Sequence, residues 1–326
     1  MKLSIIIVSY NEKKYLPAAI ESCLKQKSDF DIEIIVGDDG SDDGSIEIIN
    51  DYREKYKECI KYFVMDRTNA VNVIPSIRVS NVLKQAFKLA EGEYLMVMSG
   101  DDLLINETKI MNQVKFLEKH NQYASCYTDY KKFWGDGREI NCIMRSTISR
   151  YSFWSSQYMH ISCFVFRRSA LNHLLNRFCD DTGLIFSIFC AGKSKHIPLM
   201  GFGYRQRSES IMHETDKIEL SILELALFQD ILNYNGYKNS SLSRFCKPLQ
   251  YLFALRESLS DKKYSKYLSS CSQYKYNLLE KLNCYDSLPE KEKKDLIRLV
   301  RKSIFYKNFF GIIRKVDVGI NMILRN

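Results

Sequence analysis

Blocks of hydrophobic and polar positions alternate along the first hundred residues. Residues 3–9 form an apolar run, Lys14–Lys25 places apolar residues at helical spacing, and residues 32–37 form a second apolar run before a polar turn. Strand patterns recur at 60–65 and in EYLMVM (93–98), and helical patterns recur over 46–52 and Val79–Ala90. This alternation predicts a parallel sheet covered by helices.

The pattern changes near residue 215. Before it, the spacing predicts a helix after Lys109, strands at 123–130 and 161–167, and a helix over Leu184–Ala191. Beyond about Asp216 the chain has long helical stretches and no clear strand pattern. We therefore expect a mostly parallel α/β domain over residues 1–215 and a helical, basic C-terminal region over 216–326.

The bulk composition predicts a cytoplasmic protein. Ten cysteines are scattered over 326 residues without a CxxC pair or a histidine cluster, which suits a reducing compartment and argues against a zinc site. The first apolar run is too short for a signal peptide, and no stretch approaches the roughly 20 apolar residues that a membrane span requires. We expect no segment that crosses a bilayer.

Positive charge is concentrated in the C-terminal tail. The chain carries a net charge of +9, and residues 291–326 contain ten Lys or Arg against three acids. The glycine and aromatic patterns of RNA-binding modules are absent, so we expect no nucleic-acid partner. Two interpretations stay open for the tail: a basic amphipathic helix on the inner face of an anionic membrane, or a helix that packs on the α/β domain.

Polar clusters follow three of the predicted strands: SYNE (9–12), DDGS (38–41) and SGDD (99–102). Ligands of such sheets bind at the carboxyl ends of the strands. Asp101 and Asp102 come directly after a buried strand, which is costly unless a cation such as Mg²⁺ or Mn²⁺ compensates their charge; a solvated turn is the alternative. The DDGS segment also resembles a calcium loop, but Asn50 replaces its final Glu and a strand precedes it.

The order and spacing of these motifs resemble the family 2 glycosyltransferases of GT-A fold. The resemblance runs from about residue 3 to residue 212 and includes the stretch AEGEYLMVMSGDD. It implies a GT-A (Rossmann-like) domain that takes a nucleotide-sugar donor, commonly a UDP-sugar in this family. The acceptor it implies is a saccharide or a lipid-linked saccharide of bacterial surface polysaccharide synthesis.

The resemblance also assigns donor-side residues. Asp39 is expected to hydrogen-bond the base, and Arg78 either contacts the diphosphate or is a solvated arginine at the start of a helix. The family's Asp-x-Asp motif has Ser99 at its first place here, so Mn²⁺ or Mg²⁺ is expected at Asp101. The full nucleotide-sugar set is Val8, Ser9, Tyr10, Glu12, Asp39, Arg78, Gly100, Asp101 and Asp102.

The acceptor half resembles the family less closely. FCDDTGLIF looks like the family's acidic dipeptide before a helix, which makes Asp181 the candidate catalytic base and Asp180 the alternative; a helix N-cap is the structural interpretation of either. GYRQRSESI looks like the family's YR-x-H-x-GS segment. Tyr204 and Arg205 match, and Arg207 replaces the histidine, where it could meet a phosphate. His160 either faces this side of the site or has a structural role.

The leading hypothesis is an inverting glycosyltransferase. One carboxylate removes a proton from the acceptor hydroxyl while the metal ion stabilises the leaving diphosphate. The first alternative is a catalytically silent module that binds a nucleotide-sugar or a glycan. A phosphotransferase or nucleotidyltransferase is the second, but it would need a phosphate-binding loop of the Walker type, which the sequence lacks.

Overall fold

The computed structural model describes residues 1–67, 75–144, 160–174 and 181–207. All of them lie in one compact unit, which comprises Met1–Ile148 and Tyr158–Glu214. The predicted helical C-terminal region and its basic tail lie outside the described residues. The division at residue 215 therefore stays a prediction.

Strands and helices alternate through the first half, as the sequence predicts. The strands are β1 (Leu3–Ser9), β2 (Ile32–Asp38), β3 (Ile60–Val64), β4 (Tyr94–Ser99), β5 (Leu103–Leu104), β6 (Tyr123–Trp134), β7 (Glu139–Cys142), β8 (Phe164–Arg167) and β9 (Lys193–Gln206). The α-helices are α1 (Leu16–Leu24), α2 (Ser45–Lys55), α3 (Pro75–Leu89), α4 (Lys109–Lys119) and α5 (Asp181–Ala191). Short 3-10 helices span Ile161–Cys163 and Arg168–His173.

The strands form one mixed sheet in which four of the eight described pairings are parallel, and these four contain most of the paired residues. Within the described residues the order is β3-β2-β1-β4-β8-β6-β9-β5, and β7 pairs with β6. Strands β1 to β4 pair in parallel, as do β6 and β9, whereas β8, β5 and β7 pair antiparallel to their neighbours. The predicted α/β fold with a mostly parallel sheet is confirmed.

The register of the central strands brings their carboxyl ends to one edge. Ser9 of β1 lies opposite Asp38 of β2, and Val8 lies opposite Ser99 of β4. The backbone ladder continues past the strands, because Asp39 N donates to Ser9 O and Gly100 N donates to Val8 O, both at 2.9 Å. The three polar clusters therefore start from adjacent, fixed backbone positions.

The core on which this edge rests is apolar. Ile5, Ile6 and Ile7 of β1 are fully buried, as continuous apolar strands in a two-sided parallel sheet should be. Helix α1 buries four of the five spaced apolar positions that predicted it, Leu16, Ala19, Ile20 and Cys23, whereas Leu24 is half-buried. In the described residues, no helix combines the length and apolar character needed to span a membrane.

One predicted strand is shorter than expected. Of residues 161–167, Ile161–Cys163 form a 3-10 helix and only Phe164–Arg167 extend as β8. His160 caps the 3-10 helix: its Nδ1 accepts from Ser162 N at 3.4 Å and its backbone O accepts from Cys163 N at 3.0 Å. The pattern of apolar residues does not report such a local cap.

Strand β9 was not predicted, because Pro198, Gly201 and Gly203 interrupt its pattern. Gly201 is needed for close packing. A Cβ there would lie 2.7 Å from Thr128 Oγ1 and 2.8 Å from Lys109 Cδ. At Gly201, strand β9 therefore lies too close to the side chains of Thr128 and Lys109 for a larger residue to fit.

We predict that Gly92→Ala destabilises the fold by about 1–3 kcal/mol or more, because overpacking a fixed backbone forces it to move. The added Cβ would lie 2.4 Å from Ser4 N and 2.7 Å from Leu3 C. Gly135→Ala is the control, since nothing lies within 4 Å of its Cβ position. Urea unfolding measures both variants, and equal stabilities would contradict the prediction.

Candidate functional site

The first acid of the DDGS turn holds the turn together. Asp38 is fully buried, and its carboxylate accepts from Gly40 N at 2.9 Å, Ser41 N at 2.7 Å and Ser41 Oγ at 2.7 Å. Gly40 has φ +79°, a conformation that favours glycine. With Asp38 occupied by its own turn, the second acid of the pair is the one left for other partners.

Asp39 forms a buried ion pair with Arg78 of α3. Arg78 Nε donates to Asp39 Oδ2 at 2.7 Å and Nη2 donates to Asp39 O at 3.3 Å. Their side chains are 9% and 10% exposed, so Arg78 is not a solvated arginine at the helix start. Asp39 Oδ1 is buried and has no hydrogen-bond partner within the described residues. The carboxylate is held by one oxygen and open at the other.

A second arginine covers Tyr10. The guanidinium of Arg67 lies 3.8 Å from the centroid of the Tyr10 ring, a cation–π contact. Its Nη1 is buried without a hydrogen-bond partner in the described part of the chain. Sequence reasoning missed Arg67, because it lies in an irregular segment after β3 and belongs to no motif.

Three carboxylates meet where the β1 and β4 loops adjoin. Glu12, Asp101 and Asp102 are 5%, 7% and 1% exposed. Burial raises the pKa of Glu12 and that of Asp102 well above their usual range, and the Asp101 charge raises both further. Glu12 Oε2 and Asp102 Oδ2 are buried without a hydrogen-bond partner among the described residues. This arrangement attracts a cation.

Gly100 makes room for this cluster. A Cβ at Gly100 would lie 2.4 Å from Glu12 Oε2 and 3.1 Å from Leu16 Cδ1. The glycine of SGDD therefore lets the Glu12 carboxylate lie against the β4 loop. A residue with a side chain would displace it.

The end of β9 supplies the opposite charges. Arg207 Nη2 donates to Glu12 Oε1 at 2.9 Å, and its Nε lies 2.7 Å from Asp101 Oδ2 as an ion pair. Arg205 donates from its backbone N to Asp102 Oδ1 at 2.9 Å and from Nε to Asp101 O at 2.8 Å. The two arginines thus connect the end of β9 to the β4 loop.

Aromatic rings fix these arginines. The Arg205 guanidinium lies 4.7 Å from the Tyr15 ring and 4.6 Å from the Phe133 ring, so it is held between them. The Arg207 guanidinium lies 5.4 Å from the Tyr15 ring. Neither ring belongs to a recognised motif. Tyr15 directly precedes α1 and Phe133 lies on β6, so tertiary packing brings both rings to the end of β9.

His160 and Tyr204 pack against each other. Their ring centroids lie 4.5 Å apart, and Phe202 lies 4.8 Å from His160. Burial lowers the pKa of His160 to about 4, so the ring is neutral and its Nδ1 accepts a backbone hydrogen bond. The described contacts of His160 are structural ones.

Tyr204 lies within the electrostatic influence of both Asp181 and the acid cluster. Burial raises the pKa of the Tyr204 hydroxyl, and the charges of Asp102, Asp101 and Asp181 raise it further. Asp181 begins α5, and its own surface reaches solvent. Partial desolvation by the surrounding protein raises the pKa of its carboxyl to about 6. Asp180 lies outside the described residues.

The ligand atoms available around Asp101 fit a hard divalent cation. The candidate ligands are carboxylate oxygens, and buried oxygens of Glu12 and Asp102 lack hydrogen-bond partners in the described part of the chain. Among the described residues no group of three or more His, Cys, Asp or Glu side chains is arranged to hold a metal ion by itself. A metal at Asp101 therefore fits if a ligand and water complete its coordination.

Comparison with known proteins identifies the class. The model of glycosyl transferase family 2 matches residues 4–175, more than half of the chain, and the chain belongs to this family. The predicted family is confirmed. Val8, Ser9, Tyr10, Glu12, Asp39, Arg78, Gly100, Asp101, Asp102 and His160 lie inside the match, whereas Asp181, Tyr204, Arg205 and Arg207 lie beyond it.

Individual relatives match over only part of their length. An uncharacterized Mycobacterium tuberculosis protein is 30% identical over 135 residues, which is 41% of this chain and 37% of the relative. The Escherichia coli UDP-Glc:alpha-D-GlcNAc-diphosphoundecaprenol beta-1,3-glucosyltransferase WfaP is 35% identical over 129 residues, 39% of this chain and 45% of that protein. The chain thus spans less than half the length of these curated relatives.

A solved structure supports the fold. Residues 1–349 of S. aureus TarS, in complex with UDP-GlcNAc, align with a TM-score of 0.56 and 17% identity, covering 84% of this chain and 80% of that chain. Identity this low supports the fold alone. The predicted GT-A architecture is confirmed.

We predict that Arg78→Met destabilises the protein by about 3–5 kcal/mol, because it leaves the Asp39 carboxylate buried and unpaired. Adding Asp39→Asn should recover much of this loss, since no buried charge remains. Lys115→Met is the control: Lys115 pairs with Asp29 at the surface, where such pairs contribute below about 1 kcal/mol. Urea unfolding of all four proteins is the measurement. A loss for Arg78→Met no larger than that for Lys115→Met would refute the buried pair.

Proposed function

We propose that this chain is an inverting glycosyltransferase that moves a sugar from a UDP-sugar to a saccharide or lipid-linked saccharide acceptor. The observation that supports it most is the pair of acidic groups at the carboxyl edge of the sheet. Asp39 offers one buried, unpartnered oxygen, and the cluster around Asp101 offers others. Such oxygens can meet a base N–H at one end of a nucleotide-sugar and a cation at its diphosphate.

The base end is proposed for Asp39. Its Oδ2 is occupied by Arg78, so Oδ1 is the oxygen that would accept the N–H of uracil. Tyr10, covered by Arg67, supplies an aromatic surface nearby. UDP is favoured because WfaP is named for UDP-Glc and the TarS structure contains UDP-GlcNAc. Within this proposal Val8 and Ser9, at the end of β1, line the nucleotide site next to Asp39.

The diphosphate end is proposed for the SGDD loop. Asp101 would hold Mn²⁺ or Mg²⁺, and the ion when bound would neutralise charge that develops on the leaving diphosphate. Arg205 and Arg207 keep positive charge beside the same loop. Asp102 is positioned by the backbone N–H of Arg205 and supports the loop rather than facing bulk solvent.

The catalytic base is proposed to be Asp181. A carboxyl whose pKa is about 6 is ionised at neutral pH and can accept the proton of an acceptor hydroxyl. Besides burial, the charges of Asp102, Asp101 and Asp181 each raise the pKa of the Tyr204 hydroxyl. This supports one connected site rather than two. Asp180 stays the alternative base.

The acceptor and the cellular location are proposed from the relatives' names. WfaP is named for a diphosphoundecaprenol-linked acceptor, and a Bacillus spizizenii relative, 34% identical over 110 residues, is a poly(ribitol-phosphate) beta-glucosyltransferase. We extend this to a role in surface polysaccharide synthesis at the cytoplasmic face of the membrane. Peripheral contact through residues 300–326 belongs to the same proposal, as does the domain division at residue 215.

A catalytically silent module that binds a nucleotide-sugar or a glycan is the second candidate. It would bind donor without transferring sugar. The combination of Asp39, Asp101 and Asp181 favours the enzyme, because a module that only binds has little need to keep every one of these acids. Measurements of binding and of transfer separate the two candidates.

Calorimetric titration of UDP, GDP and dTDP, with and without Mn²⁺, tests the donor site. We predict metal-dependent binding of UDP that falls at least about tenfold in Asp101→Ala, as expected for loss of a metal ligand. Asp136→Ala, on the exposed turn between β6 and β7, is the control and should bind as the wild type does. Absence of nucleotide binding under every condition would overturn the proposed function.

Asp181→Asn tests the base. We predict an unchanged UDP affinity and a transfer rate lower by about 10²–10⁴-fold, the usual contribution of general-base catalysis. The assay follows label from a panel of UDP-sugars into diphosphoundecaprenol-linked saccharides. Asp136→Asn makes the same chemical change at an exposed turn and should retain the wild-type rate. Retention of that rate by Asp181→Asn would exclude Asp181 as the base.

A further inference from the structure

Arg207 contacts two separate carboxylates at the carboxyl edge of the sheet. It donates to Glu12 Oε1 at 2.9 Å and lies 2.7 Å from Asp101 Oδ2. Its side chain is 19% exposed, and the Tyr15 ring lies 5.4 Å from its guanidinium. A guanidinium held by two acids and a ring is part of the site rather than a free surface charge.

The acid cluster is only partly neutralised by this arginine. Besides the two oxygens that Arg207 meets, Glu12 Oε2 and Asp102 Oδ2 are buried and have no hydrogen-bond partner in the described residues. Both residues are more than nine-tenths buried. The cluster therefore still attracts positive charge when Arg207 is in place.

The contact between Arg207 and Asp101 is chiefly electrostatic. The Nε and Oδ2 atoms are 2.7 Å apart, yet Nε makes no well-aligned hydrogen bond within the described part of the chain. A contact of this kind is favoured by opposite charge and is weakened when a second cation arrives at the same carboxylate. A divalent ion at Asp101 would be that second cation.

We propose that Arg207 is an internal counter-cation that competes with the divalent metal ion for Asp101. It keeps the affinity for the metal low until a nucleotide diphosphate is bound. The diphosphate supplies oxygen ligands for the metal and an anionic partner for the guanidinium, so it relieves the competition on both sides. This inference rests on the proposed metal site at Asp101.

A coupling between metal and nucleotide follows from this competition. If UDP draws Arg207 away from Asp101, then UDP raises the affinity for Mn²⁺, and Mn²⁺ raises the affinity for UDP by the same factor. Removing the charge of Arg207 should remove part of this coupling. The metal affinity of the nucleotide-free protein is then the informative quantity.

The experiment titrates Mn²⁺ into the full chain, with and without UDP, and follows free Mn²⁺ by electron paramagnetic resonance. We expect Arg207→Gln to bind Mn²⁺ more tightly than the wild type without nucleotide, on the order of tenfold, because one competing charge is gone. The gain in Mn²⁺ affinity caused by UDP should shrink correspondingly. Arg207→Met is a second neutral variant, so that the test does not depend on one substitution.

Two controls separate charge from structure. Arg207→Lys keeps the positive charge and should stay within about twofold of the wild type, as a competing electrostatic contact requires. Arg138→Gln removes an ion-paired arginine from the exposed turn between β6 and β7, and should leave Mn²⁺ affinity unchanged. It reports any effect of net charge alone.

Unchanged or weaker Mn²⁺ binding in Arg207→Gln and Arg207→Met would overturn the competition, and so would an equal shift in Arg207→Lys. If no protein binds Mn²⁺ even with UDP, the metal assignment fails together with the competition. The UDP titration without metal reports separately on the nucleotide site. Failure of Arg207 as a competitor can therefore be told from failure of the proposed function.

Discussion

Burial of carboxylates at the carboxyl edge of the sheet is the constraint on which the rest of the site depends. Parallel pairing of β1 with β2 on one side and β4 on the other places Asp39 and Asp101 at the same edge of the sheet, where both are almost closed to solvent. Buried charges of one sign are costly unless they are paired. Arginines from α3 and from the end of β9 reduce this cost by forming ion pairs with the carboxylates. Their incomplete pairing leaves the oxygens that a ligand could use.

The two acidic groups are paired in different ways. Arg78 satisfies one carboxylate oxygen of Asp39 with an aligned hydrogen bond and leaves the other carboxylate oxygen open. Arg207 is shared between Glu12 and Asp101, and its contact with Asp101 lacks hydrogen-bond alignment. The first arrangement suits a fixed recognition group. The second suits a group that exchanges partners when substrate arrives.

The strands and their end loops could be predicted because apolar runs and polar turns are local in sequence. The rule that ligands bind at the carboxyl ends of parallel strands predicted that the SYNE, DDGS and SGDD clusters lie at one edge of the sheet. The partners of these clusters could not be predicted in this way. Arg207 reaches Glu12 across 195 positions, and Arg67 covers Tyr10 from an irregular segment. The cap by His160 and the glycine-dependent packing of β9 depend equally on tertiary contacts.

The two ends of the described domain also differ in how far known proteins inform them. The family match ends at residue 175, before Asp181 and Arg207. The carboxyl edge of β1, β2 and β4 thus lies inside the match, and the end of β9 is where this chain departs from the family's motif. The departure places a permanent cation beside Asp101, where the family's motif has a histidine.

A crystal structure of the full chain with UDP and Mn²⁺ tests the central claim most directly. We predict the uracil ring edge within hydrogen-bond distance of Asp39 Oδ1, the diphosphate and metal ion at Asp101, and Arg207 moved from Asp101 toward the phosphates. Nucleotide bound away from the carboxyl edge of β1, β2 and β4, or bound there with Asp39 and Asp101 uninvolved, would contradict it.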